Sequence, residues 1–401
     1  MDKFRKYKRI FVIVTDSLGI GELPDSELYG DKGTNTFKHL SYSKPDFSIK
    51  TMQEMGVGNI CDINNTPPTK SPIASTGIMR ELSKGKDTLT GHWEMMGLEV
   101  KTRFPSFTDT GFPKELVDEL ERRTGHKFIC NESGSGTEFI KNYGERQLKT
   151  KEMILYTSAD SVLQIAASEE LFGLDEIYRV CEIARQMTLE NPDWMVGRVI
   201  ARPFVGNNAN NFTRTANRHD YAVKPFGETV LVELQKNDYS VISVGKIKDI
   251  FVNEGITEAY KGKSNHEHME MTIDILKNKD FVGLCFVNLV DFDSLYGHRR
   301  NPIGYANCVE EFDKDLTEFI KFMKKDDLLI ITADHGNDPT HTGFDHTREH
   351  VPLIVYNKYL NPIDLGLRQT FSDIGATISD NFNIKMPLIG TSFLKDLKEK
   401  K

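Results

Sequence analysis

The chain has 401 residues, of which 38% are hydrophobic and 27% charged, and its formal net charge at pH 7 is −8. A chain of this length usually builds more than one compact core, so we expect two domains. The acidic balance argues against a nucleic-acid-binding protein, which normally presents a basic surface, and the odd number of cysteines, five, argues against a disulfide framework.

The N-terminus combines a basic segment with a short apolar run. Five basic residues lie within positions 3–9, and the apolar run 10–14 that follows them stops before Asp16. This run is shorter than the apolar region of a signal peptide, and no window approaches the roughly 18 apolar residues that a membrane-spanning helix needs. We therefore expect a cytoplasmic protein with no membrane partner and no obligate protein partner.

Short apolar runs rich in Val, Ile and Leu predict buried strands along the chain. They cover residues 9–15, 239–244, 285–290, 328–332 and 351–356. Their hydrophobicity is continuous rather than alternating, which indicates burial on both faces, as in a parallel sheet.

Amphipathic patterns between these runs predict helices over 265–277, 302–324 and 370–382. In the longest, apolar residues recur at three- and four-residue spacing, and Pro302 suits the first turn. Alternation of strands with helices predicts an α/β fold with a mostly parallel sheet flanked by helices.

The middle of the chain carries its own set of elements. Helical patterns cover 113–123 and 174–189, and strand patterns cover 153–157 and 196–201. We interpret residues 104–222 as an inserted α+β domain, which leaves 1–103 and 223–401 as the core.

Carboxylates follow the three strongest strand patterns of the core. Asp16 follows the first strand, Asp291 and Asp293 follow the strand 285–290, and Asp334 follows the strand 328–332. Because the carboxyl ends of parallel strands face the crevice where such sheets bind ligands, we expect these side chains to lie close together. A single aspartate in such a place is often only a turn or helix-capping residue, but three of them favour a site.

Histidines lie close to these aspartates in the sequence. Oxygen and nitrogen ligands without thiolate suit Mn²⁺, Zn²⁺ or Mg²⁺, and two such ions can align a phosphoryl transfer. The candidate ligands, enough for two ions, are Asp16, Asp293, His298, Asp334, His335 and His346.

A polar segment with glycine, 83–94, passes into a helical pattern and offers a nucleophile. A hydroxyl at that boundary would lie at a helix N-terminus, where free N–H groups favour a bound phosphate. Thr88 and Thr90 both fit, and the residues alone do not choose between them. An ordinary threonine N-cap is the alternative interpretation.

Basic residues concentrate in the inserted segment. Arginine binds phosphate well because its planar fork can make two hydrogen bonds at once, so the cluster predicts a second anion site; exposed arginines paired with acids are the alternative. Lys246, after the strand 239–244, could join it from the core. The cluster comprises Arg198, Arg202, Arg214, Arg218 and His219.

Long motifs of this chain resemble those of the bacterial phosphopentomutases, a family of the alkaline phosphatase superfamily. They are the segments 16–21 (DSLGIG), 85–94 (GKDTLTGHWE), 291–300 (DFDSLYGHRR), 332–338 (TADHGND), 345–349 (DHTRE) and 390–394 (GTSFL). The resemblance covers the whole chain and implies an alkaline-phosphatase-like core with an inserted cap domain that binds the substrate.

The resemblance also implies roles for individual residues. Asp16, Asp334 and His335 would bind one Mn²⁺ ion. The second Mn²⁺ would be held by Asp293, His298 and His346, and Thr88 would be the residue that is phosphorylated. Substrate-binding positions implied in the same way are Ser158, Asp160, Arg198, Ile200, Arg214 and Lys246.

The expected reaction interconverts ribose 1-phosphate, or 2-deoxyribose 1-phosphate, and the 5-phosphate. It would pass through phosphothreonine and a 1,5-bisphosphate, with a sugar bisphosphate as activator and other divalent ions able to replace Mn²⁺. The main alternative is a two-metal phosphatase on the same core, since metals and nucleophile do not separate the two. A second anion site favours the mutase, because it implies a substrate phosphate that does not react. A non-catalytic relative would have lost Thr88 or a metal ligand.

Overall fold

A computed structural model describes residues 4, 6–158 and 161–400. The chain divides into two compact units, Met1–Arg103 with Pro225–Lys401, and Phe104–Lys224. We call the first the core unit and the second the inserted unit. The inserted unit ends at residue 224, two residues later than the end at residue 222 that we expected from the sequence.

Strands are present in both units. They are β1 (Arg9–Thr15), β2 (Ser75–Met79), β3 (Phe128–Ser133), β4 (Met153–Thr157), β5 (Val162–Ser168), β6 (Arg198–Val205), β7 (Thr213–Arg214), β8 (His219–Ala222), β9 (Ser240–Val244), β10 (Glu258–Tyr260), β11 (Gly283–Leu289), β12 (Asp327–Thr332), β13 (Val351–Tyr356) and β14 (Asp364–Arg368).

Helices are also present in both units. They are α1 (Thr36–Tyr42), α2 (Lys50–Met55), α3 (Thr88–Met95), α4 (Lys114–Thr124), α5 (Gly136–Thr150), α6 (Glu169–Phe172), α7 (Leu174–Glu190), α8 (Val230–Lys236), α9 (Ile247–Ile250), α10 (Asn265–Asn278), α11 (Pro302–Lys321) and α12 (Ser372–Phe382). A π-helix spans Phe292–Gly297. None of the helices in the described part of the chain is long and apolar enough to cross a bilayer.

The core unit is built on one sheet with the strand order β10-β9-β11-β1-β12-β13-β2-β14. The central strand β1 is parallel to both neighbours, with Thr15 opposite Leu289 of β11 and Val14 opposite Thr332 of β12. The carboxyl ends of β1, β11 and β12 therefore meet at one edge of the sheet.

Helices cover both faces of this sheet. Phe11 of β1 packs on Phe319 of α11, while Phe286 of β11 packs on the ring of His92 in α3. Because Phe286 lies opposite Val12, the residue after Phe11, these two contacts are on opposite faces. The α/β class and the mostly parallel sheet predicted from the sequence are confirmed.

One predicted strand differs in direction. The strand 351–356 is buried throughout, as predicted, yet β13 is antiparallel to both β12 and β2. Its hydrophobicity is continuous because helices cover both faces of the sheet, and this burial does not depend on strand direction. The helix predicted over 302–324 ends earlier, at Lys321, with Phe322 as its C-cap.

The inserted unit has a mixed sheet with the order β3-β4-β5-β6-β7, and β8 also pairs with β6. One face packs against α4 and α7 through a cluster that includes Leu120 and Val180. The other face packs against α5 through Phe139 and Ile140. The strand predicted over 196–201 is β6, which begins at Arg198 and extends to Val205.

Candidate metal centre and nucleophile

The carboxylates that follow the central strands converge at the edge of the core sheet. Asp16 directly follows β1, Asp334 lies just beyond β12, and Asp293 lies in the π-helix that follows β11. Asp16, Asp334 and His335 offer ligand atoms that all lie within 4.8 Å of one another, and so do Asp293, His335 and His346. All five side chains are buried.

His298 completes the cluster. Its Nε2 lies 3.0 Å from Asp293 Oδ2 and 3.1 Å from His346 Nε2. The ring of His335 lies between the two groups, with its centroid 4.0 Å from that of His346 and its Nε2 3.3 Å from Asp334 Oδ2. The structure thus brings together all six ligands expected from the sequence, and it places His335 within ligand distance of both groups.

Two carboxylate oxygens of the cluster are open to a further ligand. Asp16 Oδ1 and Asp334 Oδ2 are buried and have no hydrogen-bond partner among the described residues. Burial, together with the negative charges of Asp334 and Asp293, raises the pKa of Asp16 well above its usual range. Buried carboxylates this close together are stabilised either by protonation or by cations that compensate their charge, so the donor set fits divalent ions.

The histidines also fit this interpretation. Burial raises the pKa of Asp293, but the neighbouring His298 and His346 bring it well below its ordinary value. Burial lowers the pKa of His335 and so favours the neutral imidazole, which is the form that binds metals. Carboxylates and imidazoles without thiolate suit Mn²⁺, Zn²⁺ and Mg²⁺.

Thr88 is the first residue of α3 and faces the cluster. The N-cap of this helix is Asp87, whose side chain accepts hydrogen bonds from Thr90 N at 3.1 Å and from Thr90 Oγ1 at 2.6 Å. The hydroxyl of Thr88 is therefore not used for capping, and its Oγ1 lies 3.2 Å from His335 Nε2. The two threonines that the residues alone left equivalent have different positions: Thr88 points to the ligands and Thr90 to Asp87.

Two buried polar residues that sequence reasoning missed connect α3 to the ligands. His92 Nδ1 donates a hydrogen bond to the carbonyl oxygen of Thr88 at 2.9 Å and lies 3.2 Å from Asp334 Oδ2. Asn288 Nδ2 donates to Asp16 Oδ2 at 2.9 Å and lies 3.4 Å from His92 Nε2. Sequence signals existed for both: His92 follows Thr88 by four residues on one helix face, and Asn288 is a polar residue in an apolar strand.

The polar segment before α3 is tied to the segment that carries His346. Arg348 is buried and donates from Nη1 to Glu81 Oε2 at 2.6 Å and to the carbonyl oxygen of Gly85. Lys86 Nζ lies 2.9 Å from Asp31 and 3.3 Å from Asp345. The segment before α3 and the segment that carries His346 therefore share one buried ion pair, Arg348–Glu81, and one more exposed pair, Lys86–Asp345.

Gly91 allows α3 to approach the ligands closely. A Cβ atom built on this residue would overlap the carbonyl oxygen and the carbonyl carbon of Asp334. We expect Gly91→Ala to lower turnover by roughly tenfold or more while every ligand and Thr88 remain, because a shift of Thr88 of about 1 Å is enough for a large loss. Steady-state kinetics at saturating Mn²⁺ measures this loss.

Gly227→Ala is the matched control for this substitution. Gly227 also lies in the core unit, and its added Cβ meets only the end of the flexible Leu98 side chain at 3.2 Å. Equal turnover in the two variants would show that the close packing of α3 on Asp334 is not needed.

The predicted substrate residues lie in both units. Ser158, Arg198, Ile200 and Arg214 belong to the inserted unit, whereas Lys246 belongs to the core unit as the N-cap of α9. Asp160 lies outside the described residues.

Within the inserted unit, a row of three neighbouring side chains crosses the sheet face that α5 covers in part. Tyr156, Gln164 and Ile200 lie opposite one another on β4, β5 and β6. Gln164 Nε2 donates to Ser158 Oγ at 3.3 Å, and Arg202 Nε donates to Gln164 Oε1 at 3.1 Å. Ser158, Ile200 and Arg202 are therefore parts of one face.

Among the described residues, this face carries more arginines than acidic residues. Burial and the neighbouring charges of Arg218 and Arg214 lower the pKa of Arg202. Arg218 forms an ion pair with Asp220 at 2.6 Å, and Arg198 lies 3.9 Å from the same carboxylate, so pairing with acids accounts for part of the cluster. The hydroxyl of Tyr156 is buried without a hydrogen-bond partner in the described ranges.

Comparison with known proteins gives the family. The model of the Metalloenzyme superfamily matches residues 8–386. A phosphopentomutase of Clostridium beijerinckii is 56% identical over 398 residues, covering 98% of this chain and 100% of the relative. A phosphopentomutase of Clostridium tetani is 57% identical over 400 residues, with the same coverage. The chain belongs to the phosphopentomutase family.

Family membership makes the chain a metal-binding enzyme of the isomerase class, an intramolecular phosphotransferase. Its fold is also that of a phosphoglycerate mutase of Leishmania mexicana, solved at low cobalt concentration. That similarity has a TM-score of 0.51 at 12% identity and covers 100% of this chain and 99% of the other. Similarity at this identity shows the fold of this chain and nothing about its substrate.

Proposed function

We propose that this enzyme interconverts ribose 1-phosphate, or 2-deoxyribose 1-phosphate, and the corresponding 5-phosphate. The reaction would use a phosphothreonine at Thr88 and a pentose 1,5-bisphosphate intermediate. The observation that carries the proposal is the position of Thr88. Its hydroxyl does not cap the helix, and its Oγ1 lies at the start of α3, 3.2 Å from Nε2 of His335 in the buried ligand cluster. Membership in the phosphopentomutase family supports the pentose substrate.

Two divalent ions would be held at the cluster, Mn²⁺ in our proposal. Asp16, Asp334 and His335 would hold one ion, and the other three ligands, Asp293, His298 and His346, would hold the second. When bound, such ions neutralise phosphoryl oxygens and favour the ionised hydroxyl of a nucleophile. The open oxygens of Asp16 and Asp334 support this assignment.

Thr88 gives and receives the phosphoryl group in this cycle. In the first transfer the bond between phosphorus and Thr88 Oγ1 breaks, and a bond between phosphorus and the free hydroxyl oxygen of the pentose phosphate forms. That hydroxyl loses its proton, and the released Thr88 Oγ1 takes up one proton to become a hydroxyl again. The bisphosphate then turns and returns its other phosphoryl group to Thr88. The N-terminal end of α3 favours the negative charge at this position. A sugar bisphosphate would restore phosphothreonine lost by hydrolysis.

The inserted unit would bind the part of the substrate that does not react. Ser158 and Asp160 would hold the sugar, and Arg198, Ile200 and Arg214 would hold the distal phosphate. Lys246, in the core unit, is a further proposed substrate contact. The positive face around Arg202 supports an anionic ligand here. A site for a second phosphate favours a mutase over a phosphatase, which needs to bind only one.

Phosphorus NMR tests the proposed function directly. The protein is incubated with ribose 5-phosphate, Mn²⁺ and a trace of sugar bisphosphate, and the products are followed with time. We expect ribose 1-phosphate to accumulate to a constant ratio with ribose 5-phosphate. Steady release of inorganic phosphate without ribose 1-phosphate would instead identify the chain as a two-metal phosphatase.

Removal of divalent ions should destabilise the fold. The cluster holds three buried carboxylates, so ions that bind only the native state stabilise it, by about 2.7 kcal/mol per site at a concentration 100-fold above the dissociation constant. We expect the urea midpoint to rise with Mn²⁺ and to fall with a chelator. An Asp16→Asn variant should show a smaller rise, and an identical midpoint with and without Mn²⁺ would contradict the site.

A further inference from the structure

The chain supports the two groups of ligands in different ways. Asp16 and Asp334 follow central strands of the sheet, and His335 is fully buried beside them. Asp293 and His298 instead lie in and directly after the π-helix Phe292–Gly297, and His346 lies in an irregular segment before β13. The side chain of His298 is also 23% exposed. The second group therefore depends on contacts that hold two irregular segments together.

The guanidinium of Arg300 makes several of those contacts. Its Nη1 donates to the carbonyl oxygen of Gly297 at 3.0 Å, at the end of the π-helix. Its Nε donates to the carbonyl oxygen of Gly343 at 2.6 Å, and its Nη2 donates to that of Asp345 at 3.1 Å. Arg300 thus bridges the segment of Asp293 and His298 to the segment of His346.

Arg300 also reaches a ligand through one intermediate residue. Its Nη1 donates to Asn337 Oδ1, and Asn337 Nδ2 donates to Asp293 Oδ1 at 2.7 Å. Asn337 is completely buried. This chain of hydrogen bonds fixes the orientation of the Asp293 carboxylate.

The orientation of His298 depends on the same segment. Its Nδ1 donates to the carbonyl oxygen of Phe344 at 2.8 Å, which leaves Nε2 directed at Asp293 and His346. Phe344 lies between Gly343 and Asp345, the two residues whose carbonyl oxygens Arg300 binds. Outer contacts of this kind set the tautomer and the ring orientation of metal-binding histidines.

The backbone of Arg300 adopts a conformation that side chains other than glycine rarely take. Its φ is +50°, in the left-handed region. Such a conformation costs about 1 kcal/mol or more, and it persists where the surrounding contacts determine it. The hydrogen bonds of the Arg300 guanidinium to three segments are contacts that determine this backbone conformation.

We propose that Arg300 is a positioning residue that holds Asp293, His298 and His346 in the arrangement that binds the second divalent ion. The affinity of that ion, and not of the first, then depends on Arg300. This inference rests on the assignment of the metal ligands under the proposed function.

Arginine suits this role better than lysine. The planar guanidinium presents five N–H donors in a fixed fork, and here they are shared among the carbonyl oxygens of Gly297, Gly343, Asp338 and Asp345 and the side chain of Asn337. A lysine ammonium keeps the charge but has three donors at one point, so it cannot reach both segments at once.

The test is a measurement of Mn²⁺ binding by the electron paramagnetic resonance signal of free Mn²⁺. It compares the wild type with Arg300→Met and Arg300→Lys. We expect two bound ions in the wild type. In Arg300→Met we expect one ion to bind as before and the other to bind roughly 10- to 100-fold more weakly, the range usual for loss of an outer contact at a metal site. Arg300→Lys should lie between the two.

Arg299→Met is the matched control. It removes the same charge one residue closer to His298, but Arg299 is exposed. We expect it to bind both ions with wild-type affinity. Mutase turnover of Arg300→Met should also recover at high Mn²⁺, which loss of the fold would not allow.

Three outcomes would overturn the inference, and they can be told apart. If Arg300→Met binds both ions as the wild type does, Arg300 does not position the site, and the proposed function stands. If both ions weaken together and the metal-free variant unfolds at lower urea, its role is general stability. If the wild type itself binds fewer than two ions, the metal assignment under the proposed function fails, and the inference fails with it.

Discussion

Thr88→Ala is expected to lower mutase turnover by at least about a thousandfold, which corresponds to roughly 4 kcal/mol of transition-state stabilisation. The reason is chemical, since no other hydroxyl of α3 faces the ligand cluster among the described residues. Thr88 Oγ1 lies 3.2 Å from His335 Nε2, while the hydroxyl of Thr90 donates to Asp87. Initial rates of ribose 1-phosphate formation, with saturating Mn²⁺ and sugar bisphosphate, measure the effect.

Thr90→Ala and Thr88→Ser are the matched controls for this prediction. Thr90→Ala removes a methyl and a hydroxyl from the same helix and breaks a bond to the N-cap, so we expect it to cost about 1 kcal/mol of stability and to retain turnover. Thr88→Ser keeps the hydroxyl and should retain much of the activity. If Thr88→Ala turned over as fast as Thr90→Ala, Thr88 would not be the nucleophile.

The sequence predicted the framework of the site well, for a simple physical reason. Strands buried on both faces have continuous apolar runs, and the first charged residue after such a run lies just beyond the end of the strand. Asp16 and Asp334 could be placed in this way, and parallel pairing of β1 with β12 then brings them together. The prediction needed only local patterns and the rule that parallel strands end at the same edge.

The supporting contacts could not be predicted because they join residues far apart in the chain. Asn288 is 272 positions from Asp16, to which it donates, and Arg300 is 46 positions from His346. No local pattern shows which polar residues will meet. The same limit applies to β13, since an apolar run shows that a strand is buried but not which way it runs.

The choice between Thr88 and Thr90 illustrates a different limit. Both threonines lie at the boundary of a helix, and an N-cap can be any of several small polar residues. The structure places Asp87 at the N-cap, so the helix begins at Thr88, one residue earlier than a threonine cap at Thr88 would require. A shift of one position in the helix start decides which hydroxyl reaches His335.

His335 should be the ligand whose loss has the widest effect. It lies within ligand distance of both groups, and its Nε2 is 3.5 Å from Asp16 Oδ1 as well as close to Thr88. We expect His335→Ala to weaken both ions and to lower turnover by on the order of a thousandfold, or roughly 4 kcal/mol. Mn²⁺ titration with parallel rate measurements determines the two effects on the same samples.

His298→Ala is the matched comparison for His335→Ala. His298 contacts Asp293 and His346, so its loss should weaken one ion. Excess Mn²⁺ should then restore part of the turnover of His298→Ala, since the second ion can still bind at higher concentration. The same excess should not restore the turnover of His335→Ala. His335 lies within ligand distance of both groups and next to Thr88, the proposed nucleophile, so a higher Mn²⁺ concentration at one site cannot replace it. The opposite outcome is that His335→Ala weakens only one ion and that excess Mn²⁺ restores its turnover as it does for His298→Ala. The two groups of ligands would then be independent, and His335 would bind one ion only, as the resemblance to the family motifs implies.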